Sequence, residues 1–178
     1  MQKRHQGAKY GMMSIPKTSF IGEKWFIDAI GPFPVSESGN KHIIIAMESY
    51  TRWTVTLASP DTTAETIRDF IIDIITTFSC FKLLISDNGK QFRGNVLENL
   101  AKDIGYRHYF TTPYHPQSNS VERVNSTLVS MLSMYTSRSL HDWDMQLRAC
   151  TFAVNTLTNR STKTTPFYLM FQRMPVFP

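Results

Sequence analysis

Cysteine is almost missing from this sequence: Cys80 and Cys150 are the two present in 178 residues. They do not form a C-x-x-C pair, so there is neither a disulfide framework nor structural zinc spacing. Both sit in apolar segments and read as small core residues, which fits an intracellular protein. Long hydrophobic runs are absent too. The most apolar stretch, Phe70 to Phe78, is broken by Asp73, Thr76 and Thr77, well short of the roughly 20 residues a spanning helix needs. Met1-Gln-Lys-Arg-His-Gln-Gly is basic but has no apolar core behind it, which excludes a secretory signal. Repeats and low-complexity tracts are missing. Charge is not strongly one-sided: 19 Lys and Arg against 14 Asp and Glu give +5, an excess that permits a polyanionic partner without demanding one. His5, His42, His108, His115 and His141 are scattered without ligand spacing and read as surface or packing residues.

What remains is the composition of a globular protein, 42% hydrophobic, in a chain long enough for one buried core and short for two. Residues 1–20 are polar and aperiodic and read as an arm or linker; residues 21–178 read as one domain with a helical tail. Trp25 to Ile30, His42 to Ala46 and Trp53 to Leu57 are strand candidates separated by turn residues and suggest an antiparallel meander. Asp61-Thr62-Thr63 with Glu65 starts a helix whose apolar face is Ile67, Phe70, Ile71, Ile74 and Ile75. Phe81 to Ile85 is a strand. Phe92, Val96, Leu97, Leu100 and Ile104 mark a second helix ended by Gly105. Tyr106 to Phe110 is a short strand and Thr111 to Ser120 a polar loop. A third helix follows through Val121, Val124, Leu128, Met131, Leu132 and Tyr135. A fourth runs through Trp143, Leu147, Cys150, Val154 and Leu157. The order β-β-β-α-β-α-β-α-α describes a single α/β domain.

The chemistry gathers at three acids. Leu83-Leu84-Ile85 ends in Ser86-Asp87-Asn88-Gly89, a strand closing in a tight turn: Asn and Gly tolerate positive φ, and Asp can bond the turn amides. Asp87 thus stands at a strand's carboxyl end, where open α/β sheets place ligands. Asp28 interrupts an otherwise apolar strand, an odd place for a charge without a purpose. Glu122 lies near the start of the third helix. Three converging carboxylates suit a pair of divalent ions acting on phosphodiesters, because without cations they repel one another. Taken singly, each also has a plainer reading as a turn or helix cap.

Five blocks stand in order along the chain: Trp25-Phe-Ile-Asp28-Ala-Ile-Gly-Pro32, Ser49-Tyr-Thr-Arg-Trp53, Ile85-Ser-Asp87-Asn-Gly-Lys-Gln-Phe92, Tyr114-His-Pro-Gln-Ser-Asn119 with Glu122-Arg-Val-Asn125, and Asn155-Thr with Thr165-Pro-Phe-Tyr-Leu-Met-Phe171. Together they resemble the catalytic core of retroviral-type integrases, those of Ty3/gypsy-like retrotransposons above all. The resemblance implies an RNase H-like fold, a five-stranded mixed sheet flanked by helices. It also implies a catalytic, metal-binding triad of Asp28, Asp87 and Glu122 holding two Mg²⁺ or Mn²⁺ ions. The expected activity is 3′-end trimming of element DNA and its joining to target DNA, by a homo-oligomer in the nucleus with no membrane partner. Asn88, Gln91, Tyr114, Gln117, Ser118, Asn119, Arg123 and Asn125 become candidates for contacting DNA, as their amides, hydroxyls and guanidinium suit phosphates and bases.

The sequence departs from the family in three ways. Between Asp87 and Glu122 stand 34 residues, since 122 − 87 − 1 = 34, one fewer than is usual in the family, and the loss falls within Ser118 to Val121. Absorbed in a loop it is harmless; carried into the helix it would turn Glu122 by about 100°, and absorption is expected. Glu48 stands where relatives carry an Asp outside the triad and reads as structural. The family's zinc module and C-terminal DNA-binding domain have no counterpart in these residues, so a fragment, a truncated element and a captured remnant all remain open. The alternative function is therefore a catalytically weak or inactive integrase remnant that binds nucleic acid or oligomerises.

Overall fold

The computed structural model describes residues 18–111, 118–135 and 141–177, with the backbone alone for 118–120. A mixed five-stranded sheet in the order β3-β2-β1-β4-β5 forms the centre. Strands β1 (Lys24–Ile30), β2 (His42–Glu48) and β3 (Thr54–Ser59) make the antiparallel meander. Strands β4 (Leu83–Ser86) and β5 (Arg107–Phe110) add in parallel at the other side of β1. Parallel neighbours need crossovers, and α1 (Ala64–Phe78) and α2 (Asn95–Ile104) provide them.

Strand β2 shows why the sheet is central. Its Ile43, Ile44, Ile45, Ala46 and Met47 are all buried, the continuous apolar run of a strand covered on both faces. Ile44 and Ala46 join Trp25, Ile27 and the buried face of α1 in one cluster. Ile43 and Ile45 point the other way, into Leu128 and Leu132 of α3 (Ser118–Tyr135) and Trp143, Leu147 and Cys150 of α4 (Trp143–Thr156). A short α5 (Pro166–Phe171) closes the chain, with Thr165 as its N-cap.

Local chemistry accounts for most boundaries. Thr63 caps α1 by accepting from Thr66 N, while Asp61 Oδ1 takes the Thr63 amide at 3.0 Å and the Thr66 hydroxyl at 2.7 Å. Gly105 ends α2 in the left-handed conformation at φ 89°. At Gly31, φ is 131° and an added Cβ would meet Lys41 O at 2.7 Å, so both conformation and space require glycine.

Four expectations are corrected. Phe92 belongs not to α2 but to a separate 3₁₀ turn, Lys90–Phe92, because Gly94 at φ 113° breaks the chain direction between them. Phe92 is buried all the same. Ser118 to Ser120 are the first turn of α3 rather than loop. Cys80 is exposed, while Cys150 is buried. Gly89 sits at φ −61°, so the turn after β4 does not use its left-handed freedom.

Candidate active site

Strand alternation puts Lys24, Phe26 and Asp28 on the face of β1 that looks toward α3. There Phe26 packs with Met47, Ile85, Val121 and Val124. In the β1–β4 ladder Phe26 pairs with Ile85, an offset of 59 residues. The same offset, carried two residues past the last pair, sets Asp28 across from Asp87 on the same face. Neighbouring strands lie about 4.8 Å apart, so this register brings two carboxylates together at the strands' carboxyl ends.

Asp28 is half-buried and firmly held. Its Oδ1 accepts from Ala29 N at 2.8 Å and its Oδ2 from Asn125 Nδ2 at 2.7 Å. Burial raises its carboxyl above the usual value of 3.8; the two hydrogen bonds oppose this, and Asp87 and Glu122 add to it by like-charge repulsion. Asp87 is exposed, with Oδ1 accepting from Gly89 N at 2.9 Å. Beneath it, Ser86 Oγ donates to Asp87 O at 2.8 Å and lies 2.9 Å from His108 Nε2. Burial lowers the His108 imidazole to about 4, so it is neutral, and with the serine proton already given to Asp87, His108 is the donor to Ser86.

Glu122 arrives from α3. Val121 and Val124 anchor the helix start on the sheet, and Glu122, one step round from Val121, lines a cleft of about 40 Å³ together with Asp28, Asp87, Ser86 and Thr111. The one-residue shortening has therefore not rotated Glu122 away from the other two acids. Among the described residues no three His, Cys, Asp or Glu side chains are drawn into a ready ligand set. Both aspartates are occupied by N–H donors. The donor set is nonetheless all carboxylate oxygen, which suits a hard divalent cation. Burial is the main cause of the raised Asp28 carboxyl, with repulsion from Asp87 and Glu122 a smaller addition.

The remaining candidates divide. Asn125 is buried and turned inward to Asp28, with its Oδ1 unpaired among the described residues. Asn88 Oδ1 accepts from Arg93 through Nε at 2.6 Å and through Nη2. Gln91 folds over Gly89, close enough that a Cβ there would meet its amide at 2.5 Å. Arg123 is exposed and lines not the acid cleft but a larger cavity across α3. Ser118 and Asn119 lie in the first turn of α3. Tyr114 and Gln117 lie outside the described residues.

One group, the Ser86–His108 pair, escaped the sequence reading. Ser86 and His108 support the Asp87 turn, and no spacing links them, because β4 and β5 meet only in the sheet. Glu48, fully buried, accepts from Gly22 N, Tyr50 N, Thr51 N and Thr51 Oγ1 at 2.6 to 3.2 Å. It ties down the turn after β2 and stands apart from the acid cleft.

The sheet order, the helices on both faces and the acids at the strand ends define an RNase H-like α/β domain of the kind found in retroviral integrase catalytic cores. The bovine immunodeficiency virus (BIV) integrase core has a TM-score of 0.66 at 24% identity, over 85% of this chain and 95% of that one. A chain of the simian T-cell lymphotropic virus intasome structure has a TM-score of 0.76 at 18% identity, over 93% of this chain and 60% of that one. The chain belongs to the integrase core domain family, which matches residues 21–116. It is 34% identical over 152 residues to the Pro-Pol polyprotein of simian foamy virus type 3, covering 84% of this chain and 13% of that one. To Gypsy retrotransposon integrase-like protein 1 of Bos taurus it is 30% identical, over 97% and 36%. The chain thus spans a small part of those relatives.

Proposed function

We propose that this chain is the catalytic core of a DNA-integrating polynucleotidyl transferase, with Asp28, Asp87 and Glu122 as its catalytic triad. One observation carries the reading: adjacent parallel strands set Asp28 across from Asp87, and α3 brings Glu122 into the same cleft. These residues would hold two Mg²⁺ or Mn²⁺ ions, which when bound neutralise charge on the attacking and leaving oxygens of a phosphodiester displacement. HTLV-2 integrase, a fold neighbour, was solved in complex with magnesium.

The protein's own part is position. Asn125 fixes the Asp28 carboxylate, and the Gly89 amide and the Ser86–His108 pair fix Asp87. Val121 and Val124 lock the helix that carries Glu122. In-line attack, by water in 3′-end trimming and by a DNA 3′-hydroxyl in joining, gains from such fixed geometry. Asn88, Gln91, Tyr114, Gln117, Ser118, Asn119 and Arg123 are assigned to DNA contact, and Asn125 to DNA contact besides its hold on Asp28. A core that joins element DNA to chromosomal DNA would act in the nucleus. Intasome and trimer assembly in the neighbours favour a homo-oligomer. No helix of the described residues is long and apolar enough to cross a membrane.

The test is a gel assay of metal-dependent nicking and strand transfer on element-end DNA, comparing wild type with Asp87→Asn and Glu122→Gln. Activity lost in both variants, with the fold unchanged by circular dichroism, supports the triad. Activity retained in either would sink it. Metal binding unchanged by Glu122→Gln, with no DNA chemistry in the wild type, would point instead to an inactive remnant.

A further inference from the structure

The chain has a single Asn-Gly pair, Asn88-Gly89, directly after Asp87. Glycine has no Cβ to shield its amide, so in such a pair the glycine nitrogen can reach the asparagine side-chain carbon. Closing that ring calls for a base to take the amide proton, donors for the charge that develops on the carbonyl oxygen, and access for water. The turn after β4 has them all. Asp87 Oδ1 accepts from Gly89 N at 2.9 Å, within the reach of a general base. Arg93 directs Nε, at 2.6 Å, and Nη2 onto Asn88 Oδ1. Asn88 itself is exposed.

Two details set this turn apart. The Arg93 guanidinium is itself held, with its carbon 5.3 Å from the centre of the Phe110 ring, so β5 fixes the donor in place before any charge develops. Both of its N–H groups converge on one oxygen, as donors to an oxyanion do. Other asparagines are placed differently. Asn40 is followed by Lys41, and its Nδ2 donates to Asp144 at 2.7 Å. Asn159 is followed by Arg160, and its Oδ1 accepts from Ser161 N at 2.9 Å and Ser161 Oγ at 2.6 Å.

We propose that Asn88-Gly89 is a self-modification site, at which the folded turn converts the Asn88 amide to a carboxylate. Gly89 N attacks Asn88 Cγ and forms an N–Cγ bond. Its proton passes to the Asp87 carboxylate, and the carbonyl electron pair moves onto Oδ1, under the Arg93 fork. When that pair returns, the Cγ–Nδ2 bond breaks, Nδ2 takes the proton back from Asp87, and ammonia leaves a cyclic imide behind. Water then opens the imide. Opening at the side-chain carbonyl gives aspartate at 88, and opening at the main-chain carbonyl gives a β-linked isoaspartate. The balance is asparagine plus water giving aspartate plus ammonia, with Asp87 unchanged.

A carboxylate at 88 repels the phosphates that Asn88 is assigned to contact. An isoaspartate also lengthens the backbone between Asp87 and Gly89 by a methylene and so shifts the amide that holds Asp87. Modification would therefore retire the site with age. That consequence rests on the DNA-processing reading above; the chemistry itself does not.

The experiment is peptide mapping by mass spectrometry, with isoaspartate counted by enzymatic methylation, during storage at physiological temperature and fixed pH. Wild type is compared with Arg93→Gln, Asp87→Asn, Gly89→Ala and a synthetic peptide of residues 84–94. Asp87→Asn keeps an acceptor for the Gly89 amide but removes the base. Gly89 sits at φ −61°, open to any residue, and a Cβ there would meet the movable end of the Gln91 side chain, so Gly89→Ala should fold. We expect Asn88 to convert several-fold faster in the folded wild type than in the peptide, and faster than Asn40 or Asn159. Arg93→Gln and Asp87→Asn should each fall toward the rate of the peptide, and Gly89→Ala should keep its Asn88 amide. A wild type no faster than the peptide, or a rate that neither Arg93→Gln nor Asp87→Asn changes, would overturn the proposal; the first comparison decides even if a variant folds poorly. Conversion at Asn88 in a chain that never nicks DNA would remove the catalytic reading and leave this one, and nicking by a chain whose Asn88 persists would do the reverse.

Discussion

Asp28 carries a charge where burial and two other acids oppose it. Its folded-state pKa lies above the ordinary 3.8, so ionising it costs stability. That cost is absent below 3.8, grows as pH rises through the folded value, and is complete above it. Asp28→Asn removes the cost. The new amide can also donate to the unpaired Asn125 Oδ1 once the Asn125 amide turns over. We therefore predict a higher melting temperature than wild type at neutral pH, with the gain shrinking toward pH 4, and a loss of metal-dependent nicking on the order of a hundredfold or more. Thermal melts across pH, with nicking assays on the same samples, check this; a variant less stable than wild type at neutral pH would contradict it. Asn125→Ala acts oppositely on the same carboxylate. Without the 2.7 Å bond the Asp28 carboxyl rises further, and the acid limb of the nicking pH profile should move to higher pH. An unmoved limb would deny Asn125 its positioning role.

Between elements, the tie from α4 to β3 is the most exacting. Asn155 is 2% exposed; its Oδ1 accepts from Thr54 N at 2.8 Å and its Nδ2 donates to Thr54 O at 2.7 Å. An edge strand presents unpaired backbone groups, and this amide satisfies both at one residue. Asn155→Ala leaves a buried N–H and C=O unpaired and should cost about 2–4 kcal/mol, read as a lower urea midpoint with unchanged slope. Asn155→Asp should cost at least as much, because a carboxylate cannot donate to Thr54 O. The sequence reading had Asn155 as part of a family block without a task. The task comes from a strand 101 residues away, which no local pattern shows. Periodicity, by contrast, located all five strands and the four long helices, because each is covered by apolar partners on at least one face. It failed at Phe92 and at Ser118 to Ser120. There Gly94 cut an apolar series in two, and a polar first turn looked like loop. Asp87 and Glu122 stood out by their places at element ends, and Asp28 as a charge interrupting an apolar strand. The larger cavity across α3 did not, since Lys24, Arg52, Arg123 and Arg160 come from four separate segments.

For the molecule as a whole, a cation bound among the three acids would add to stability by mass action. Three carboxylates from β1, the end of β4 and α3 sit together in a protein otherwise rich in cations, with a net charge of +5. An ion bound by the folded chain and not by the unfolded one stabilises it by RT ln(1 + [L]/Kd), about 2.7 kcal/mol at a hundred times Kd. For a domain of this size that raises the melting temperature by roughly 5–10 °C. We predict such a rise on adding Mg²⁺ or Mn²⁺, smaller in Glu122→Gln and nearly absent in Asp28→Asn. Ca²⁺, which also takes oxygen ligands, should give a rise without supporting DNA chemistry. The comparison belongs at a fixed ionic strength, because added salt screens repulsion among the excess cations as well. An equal rise in wild type and all variants would trace the effect to general screening, and the three acids would then lose their claim to a shared ion.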